Sequence, residues 1–293
     1  MSIKLDGNHL KISLQRKGRL ADVSRKFLRS LGLQFEYYDG RLFSTCTNFP
    51  LDLLFLRDDD IPEYVEEGVT DLGIAGLNIV HEYDSKVVRL EKLGFSGCRL
   101  CIAVPKRSGL SAVNQLDGKR IATSYPSSLR RYLEEKGLDC EIVKISGSVE
   151  ITPSLNVADA ICDLVSTGST LRLNDLEPIE TILESEAVLI GNPDSFEDAR
   201  KRELIERLRV RAQGTLKARD TKYVMMNVPN NRLEKVESIL PGMKSPTVMP
   251  LAHDDMSAVH SAVPEEDFWD VIERLKQAGA QDILVVPVEK MVL

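Results

Sequence analysis

Apolar positions along this 293-residue chain recur with two periods, and the switches between them mark out its elements. Leu10, Ile12 and Leu14 alternate with polar neighbours, as on a strand. A polar loop at 15–19 follows, after which Leu20, Val23, Phe27, Leu28 and Leu31 recur at helical spacing as far as Gly32. Residues 51–56, apolar except for Asp52, read as a strand of the buried type. Behind it come Arg57 and three acids, a short helix with Pro62 in its first turn and Gly68 beyond its end, and a further strand at 71–75. Strands spaced by short helices predict a parallel sheet covered on both faces. After a Pro/Gly/Ser break at 105–109 the alternation resumes as a second α/β unit: strands at 119–123, 141–145 and 158–165, and a helix carrying Leu129, Tyr132 and Leu133 that Gly137 stops. Residues 179–190 read as extended and 195–217 as a long charged helix. The order then changes. Strand (223–228), helix (stopped by Pro241-Gly242), strand (247–251), strand (256–263), helix (stopped by Gly279) and strand (283–288) make a βαββαβ sequence, the ferredoxin-like arrangement.

Composition narrows the function. An apolar share of 43% and a charged share of 28%, with no single-residue tract, belong to a globular chain. No stretch approaches the roughly 20 uninterrupted apolar residues of a membrane helix, and Lys4, Asp6, His9 and Lys11 stand where a signal peptide would be apolar. The chain is therefore read as cytoplasmic, with no membrane partner. Its net charge of −7 argues against nucleic-acid binding, so an anionic substrate must be met by a local basic site. Cys98-Arg-Leu-Cys101 has no second pair to complete a zinc set, and its strand-like setting points the two thiols to opposite faces, so reduced cysteines are expected. The four histidines have no metal spacing and no G-x-S-x-G occurs, which removes metalloprotease and serine-hydrolase chemistry.

Ala158-Asp-Ala-Ile-Cys-Asp-Leu-Val-Ser-Thr-Gly-Ser-Thr-Leu171 is the most informative segment. An apolar strand delivers Asp163 near its carboxyl end, and Ser166, Thr167, Gly168, Ser169 and Thr170 form a small, hydroxyl-rich turn. Such a turn can aim N–H groups and hydroxyls at one phosphate while the carboxylate accepts from sugar hydroxyls; an ordinary strand-to-helix turn capped by Asp163 is the plainer alternative. Gln15-Arg16-Lys17-Gly18-Arg19 places three cations at the carboxyl end of a parallel strand, where open α/β sheets bind ligands, and cations are unfavourable at a helix start unless they serve something else. Arg57 follows a buried strand and is expected in the same cleft. Asp58, Asp59 and Asp60 suit helix capping better than Mg²⁺.

These segments, with Leu56-Arg-Asp-Asp-Asp-Ile-Pro62, Asp71-Leu-Gly-Ile-Ala-Gly76, Gly118-Lys-Arg-Ile-Ala-Thr-Ser-Tyr-Pro126, Gly147-Ser-Val-Glu150 and Pro241-Gly-Met-Lys-Ser-Pro-Thr247, closely resemble the long form of the ATP phosphoribosyltransferase family. The resemblance implies an α/β fold: a two-lobe core like that of periplasmic binding proteins, with a C-terminal ACT-like regulatory domain. On that division lobe I is 1–95 with 179–219, lobe II is 96–178 and the regulatory domain is 220–293. It implies transfer of the phosphoribosyl group of phosphoribosyl pyrophosphate to N1 of ATP, with inversion and loss of pyrophosphate, as the first step of histidine biosynthesis. Residues 166–170 would hold the 5′-phosphate, Asp163 the ribose hydroxyls, and Glu150 would lie by the ribose and metal. Arg16, Lys17 and Arg57 would face the substrate phosphates, with Mg²⁺ held mainly through those phosphates. Histidine would inhibit through Asn227, Met243, Thr247 and Asp282, the last larger than the small residue the family's pattern suggests, and the assembly would be a dimer or hexamer. A cytoplasmic two-lobe ligand sensor or a silent regulatory paralogue is the competing class; the second should have lost Asp163, Gly168 or the basic loop, and all three are present.

Overall fold

The computed structural model describes residues 7–240, 245–252 and 254–292. The chain divides into two compact units, Met1–Ile205 and Glu206–Leu293.

The first unit opens with β1 (Leu10–Gln15), α1 (Arg19–Ser30), β2 (Phe43–Thr45), β3 (Leu51–Leu56), α2 (Ile61–Glu66), β4 (Leu72–Gly76), α3 (Leu77–Glu82) and β5 (Val88–Lys92). A second lobe follows: β6 (Cys98–Pro105), β7 (Arg120–Thr123), α4 (Pro126–Lys136), β8 (Glu141–Lys144), β9 (Ala160–Val165), α5 (Ser169–Leu173) and β10 (Leu176–Ser185). The chain then re-enters the first lobe as β11 (Ala187–Gly191) and runs into α6 (Ala199–Arg219). The sheet orders are β2-β3-β1-β4-β11-β5 and β10-β6-β9-β7-β8.

Strands β3, β1 and β4 are parallel, as are β9, β7 and β8, yet neither sheet is the all-parallel one that the alternation predicts. β2 and β11 run against their neighbours in the first sheet and β6 in the second. β6 and β11 enter their sheets from the other lobe rather than through a βαβ crossover, so nothing obliges them to run parallel. The return crossing also lies later than residue 179. β10 pairs with β6 as far as Ser185 opposite Cys98, so the handover falls at Glu186.

Leu10, Ile12 and Leu14 of β1 are fully buried between Leu51, Leu53 and Phe55 of β3 and Leu72 and Ile74 of β4. In the second lobe Leu100, Ile102 and Val104 of β6 pack on one face, Cys101 and Ala103 on the other, so that sheet is covered on both sides. Asp71 anchors the first lobe at its edge. Its carboxylate accepts from the Lys11 N–H at 2.8 Å and the Ser195 hydroxyl at 2.7 Å, and pairs with Lys201 at 2.7 Å. Ser195 therefore precedes the long helix instead of opening it; Pro193–Phe196 is a 3₁₀ turn capped by Asn192. All five cysteines are free thiols.

The second unit begins inside α6, not at residue 220, because the end of the helix packs with the tail: the Gly214 carbonyl accepts from the Met291 N–H at 2.8 Å. Beyond it lie β12 (Thr221–Pro229), α7 (Leu233–Glu237), β13 (Thr247–Pro250), β14 (Met256–Pro264), α8 (Phe268–Ala278) and β15 (Gln281–Pro287). The order β13-β14-β12-β15, antiparallel throughout, is the ferredoxin-like arrangement. Val224, Met226, Val228, Val259 and Val263 pack beneath Val271, Ile272 and Leu275 of α8. The predicted Pro241-Gly242 stop lies outside the described residues. Among the described residues no helix is long and apolar enough to cross a membrane.

Candidate active site

Strand β9 delivers Asp163 and ends at Val165, and the chain then turns through Ser166, Thr167 and Gly168 into α5. Gly168 occupies the left-handed region at φ 72°, ψ 9°, which lets the turn close tightly enough for the Thr167 and Ser169 hydroxyls to meet at 3.1 Å. Behind it Arg172 donates to the Thr167 carbonyl at 3.3 Å. Glu150, on the 3₁₀ turn Val149–Ile151, lines the same cavity of about 190 Å³ with Asp163 and the 166–170 loop. Burial raises the Asp163 pKa, and the neighbouring Glu150 charge adds to it, against the bond its carboxylate accepts from the Leu164 N–H at 2.8 Å.

The opposing wall comes from lobe I. Gln15 is buried and folds back to accept from the Leu20 N–H at 2.9 Å, capping α1 in place of a shorter side chain. Of the three cations in this loop it is Arg19 that crosses the cleft, donating to the Ser166 hydroxyl at 3.2 Å. Arg16 is half-buried, its N–H bonded to the Leu56 carbonyl at 2.7 Å, while Lys17 is exposed and 4.0 Å from Asp39. Arg57 is exposed as well. None of Arg16, Lys17 and Arg57 is among the residues lining the cavity or its larger neighbour of about 440 Å³. That second cavity shares Arg19, Asp163 and Ser166 with the first and adds Asp58, Asn78 and Tyr125. Burial, then the Asp163 charge, raises the Tyr125 pKa, so its hydroxyl stays protonated.

The capping role expected of residues 58–60 is not found. Asp60, at the N-cap of α2, makes no side-chain bond to the helix; backbone bonds of 3.2 Å from Asp60 to Arg57 and from Ile61 to Asp58 close the turn instead. Asp58 is thereby free to face the larger cavity, and burial, with the Asp58 and Asp60 charges, raises the Asp59 pKa. No three His, Cys, Asp or Glu side chains among the described residues cluster as a metal cage. Glu150 with Asp163 is a two-carboxylate set, which fits a hard divalent ion that takes its remaining ligands from phosphate and water.

The family model of ATP phosphoribosyltransferase matches residues 57–213, which include Glu150 and the 166–170 loop, and that of the HisG C-terminal domain matches 218–290. An ATP phosphoribosyltransferase of Cytophaga hutchinsonii is 47% identical over 97% of this chain and 98% of its own length. The chain belongs to the ATP phosphoribosyltransferase family. A solved ATP phosphoribosyl transferase (HisG:HisZ) complex from Thermotoga maritima is 29% identical and superposes with a TM-score of 0.60, covering 70% of this chain and 98% of that one.

Of the residues that line these cavities, the sequence singled out neither Asn78 nor Tyr125, and it offered Arg19 only as one of three loop cations and Asp58 only as a capping or Mg²⁺ candidate. Arg19 stood in the basic loop and Tyr125 in a quoted motif, but nothing in their spacing distinguished them; Asn78 gave no signal at all. In the tail, Asn227 and Asp282 line a cavity of about 450 Å³ with Met225, Ala258 and His260, and the Asn227 amide donates to Asp282 at 3.1 Å. Thr247 is exposed, opposite His260 in register but not part of that lining. Met243 lies outside the described residues.

Proposed function

We propose that the chain transfers the 5-phosphoribosyl group of phosphoribosyl pyrophosphate to N1 of ATP, giving N1-(5-phosphoribosyl)-ATP and pyrophosphate, the first committed step of histidine biosynthesis. The observation that carries this reading is the pair of joined cavities, with a hydroxyl-rich loop and two carboxylates on lobe II facing Arg19 on lobe I. Early breaking of the C1–O bond leaves an oxocarbenium-like sugar. The protein then has to stabilise departing pyrophosphate and aim a weak ring nitrogen, work done by positioning and electrostatics without a side-chain nucleophile.

In this reading the N–H groups and hydroxyls of 166–170 hold the 5′-phosphate, and the ionised Asp163 accepts from the ribose hydroxyls. Arg19 meets pyrophosphate oxygens, and Arg16, Lys17 and Arg57 supply longer-range positive potential at the rim. Glu150 and Asp163 would hold Mg²⁺ together with substrate oxygens, and the ion would supply countercharge to the leaving group. Pyrophosphate release by the purified protein from ATP plus phosphoribosyl pyrophosphate tests the reaction, and absence of release in Mg²⁺ buffer overturns it. The sensor or silent-paralogue alternative draws no support from a relative 47% identical over nearly the whole chain and named as the transferase.

The tail cavity is read as the histidine site. Asp282 offers a carboxylate to the amine of the ligand and Asn227 an amide to its carboxylate. Calorimetric titration of histidine, lost in Asp282→Ala, tests it. The chain is read as a cytoplasmic homo-oligomer, dimer or hexamer. The apolar strand β15, with Leu284 61% and Val286 42% exposed, supports an interface there, and light scattering gives the mass.

A further inference from the structure

The two lobes of the first unit also meet away from the phosphate loop, where α3 of lobe I abuts the first turn of α4 of lobe II. Pro126 opens α4 and has no N–H, and Tyr125 before it offers no capping side chain, so the Ser127 and Ser128 N–H groups need an acceptor from elsewhere. Glu82 supplies it from the opposite lobe. One carboxylate oxygen lies 2.8 Å from the Ser127 nitrogen and the other 2.8 Å from that of Ser128, and the residue is only 8% exposed. A buried carboxylate at the positive end of a helix, with both oxygens engaged, is a strong contact.

A second tier reinforces it. The His81 Nδ1 is 2.9 Å from the Ser128 hydroxyl and 3.0 Å from the Arg131 guanidinium, which also donates to the His81 carbonyl. Because guanidinium only donates, Nδ1 accepts. Asn78, at the other end of α3, donates to the Tyr125 hydroxyl at 3.4 Å. It is tied in turn to Ser185, the last residue of β10, by two bonds of 2.9 Å.

We propose that Glu82 is a positioning residue that holds the two lobes in the register the reaction needs. At the 166–170 loop the lobes are joined, among the described residues, by an exposed bond from Arg19 to Ser166, which a phosphate entering the loop must displace. Glu82 lines neither cavity, so its contact can persist through turnover. Asn78 and Tyr125, close in sequence to the two sides of the clamp, both face the larger cavity. Without the clamp the competent register is a smaller fraction of the population. On the transfer reading each substrate binds productively only in that register, so the apparent affinity for each, taken with the other dilute, falls by that fraction, while saturating substrate restores the register and with it kcat.

The inference rests on the phosphoribosyl-transfer reading, and its test separates the two. In the full chain, E82Q is expected to raise the apparent KM for ATP and for phosphoribosyl pyrophosphate, each measured with the other substrate held well below its KM, by a common factor of about ten, with kcat at saturation of both within about twofold of the parent. Amide hydrogen exchange without substrate should quicken in both α3 and α4. Exchange that quickens in α4 alone, or a kcat loss at unchanged KM, makes Glu82 a local cap and overturns the proposal. If E82Q does not fold, R131A, which removes only the second tier, must show the same paired KM rise to a smaller extent; unchanged KM values, or a second failure to fold, overturn it. A parent that releases no pyrophosphate refutes the transfer reading, whereas the exchange pattern of E82Q still decides the clamp.

Discussion

Replacing Gly168 by alanine separates the backbone shape of the phosphate loop from the space around it. A Cβ built on Gly168 would lie 3.5 Å from an Arg172 guanidinium nitrogen and 3.8 Å from a Val165 methyl, both ordinary contacts. Steric exclusion within the protein therefore contributes nothing, and the cost is that of holding an L-residue at φ +72°, about 1–2 kcal/mol. For a unit of some 200 residues that lowers Tm by roughly 2–8 °C if the turn is kept. If the turn relaxes instead, Tm recovers, but the N–H groups aimed at the 5′-phosphate are lost. One or more charge-assisted bonds of about 1.5–3 kcal/mol then leave kcat/KM for phosphoribosyl pyrophosphate, a loss of about 10–150-fold.

The two outcomes are alternatives, and differential scanning fluorimetry with initial-rate kinetics reads both. Gly168→Asn, which tolerates the left-handed region better, should recover part of whichever loss is seen. An alanine variant with the parent's Tm and the parent's kcat/KM would refute the reasoning, because it would mean that neither strain nor phosphate contact depends on this turn.

Burial raises the Asp163 pKa, so the carboxylate costs stability once pH rises through its folded value. Asp163→Asn should melt no lower than the parent at pH 7 while losing turnover, and the acid limb of kcat/KM, displaced above the ordinary carboxylate range in the parent, should vanish; a lower melting point contradicts the assignment. Burial, then the charges of Arg131 and Arg89, lowers the His81 pKa from 6.5 against the opposing charges of Glu82 and Asp84. The stability it contributes is complete above 6.5 and lost as pH falls toward the lowered folded value, so His81→Gln should flatten Tm against pH in that window. Gly73→Ala would place a Cβ 2.8 Å from Val65 and 2.9 Å from Ile61 of α2, and 3.0 Å from the Ser13 hydroxyl; about 1–3 kcal/mol of stability should go, and an unchanged urea midpoint would show that α2 can yield.

Much of the architecture was legible because long periodic segments carry their own signal. The helix at 20–31 and the βαββαβ tail are examples. What escaped were short elements whose residues gain their conformation from neighbours. β2 has three residues and exists by pairing with β3, and α3 has six, with no capping side chain at its start. That blindness extends to the site. The hydroxyl-rich turn at 166–170 stood out by its own composition, but Asn78 and Glu82 act through groups more than forty residues away, a relation no local pattern contains.

Charge explains why lobe register should matter to such a protein. A chain of net charge −7 whose smaller cavity is lined by Glu150 and Asp163 repels two polyanionic substrates unless cations face those carboxylates. Arg16, Lys17, Arg19 and Arg57 lie on lobe I, whereas the 166–170 loop and both carboxylates lie on lobe II. Neither lobe is an adequate anion site alone. Among them the one cation bonded across the gap, Arg19, makes a single exposed bond, too weak to set the spacing and well suited to being exchanged for a phosphate oxygen. The spacing must then come from contacts that substrate does not disturb, and the bonds that Glu82 of α3 accepts from the first turn of α4 meet that requirement. The acid that fixes the lobes is also consumed by doing so: both its oxygens are turned toward helix N–H groups, and its charge is met by the helix rather than presented to the incoming phosphates.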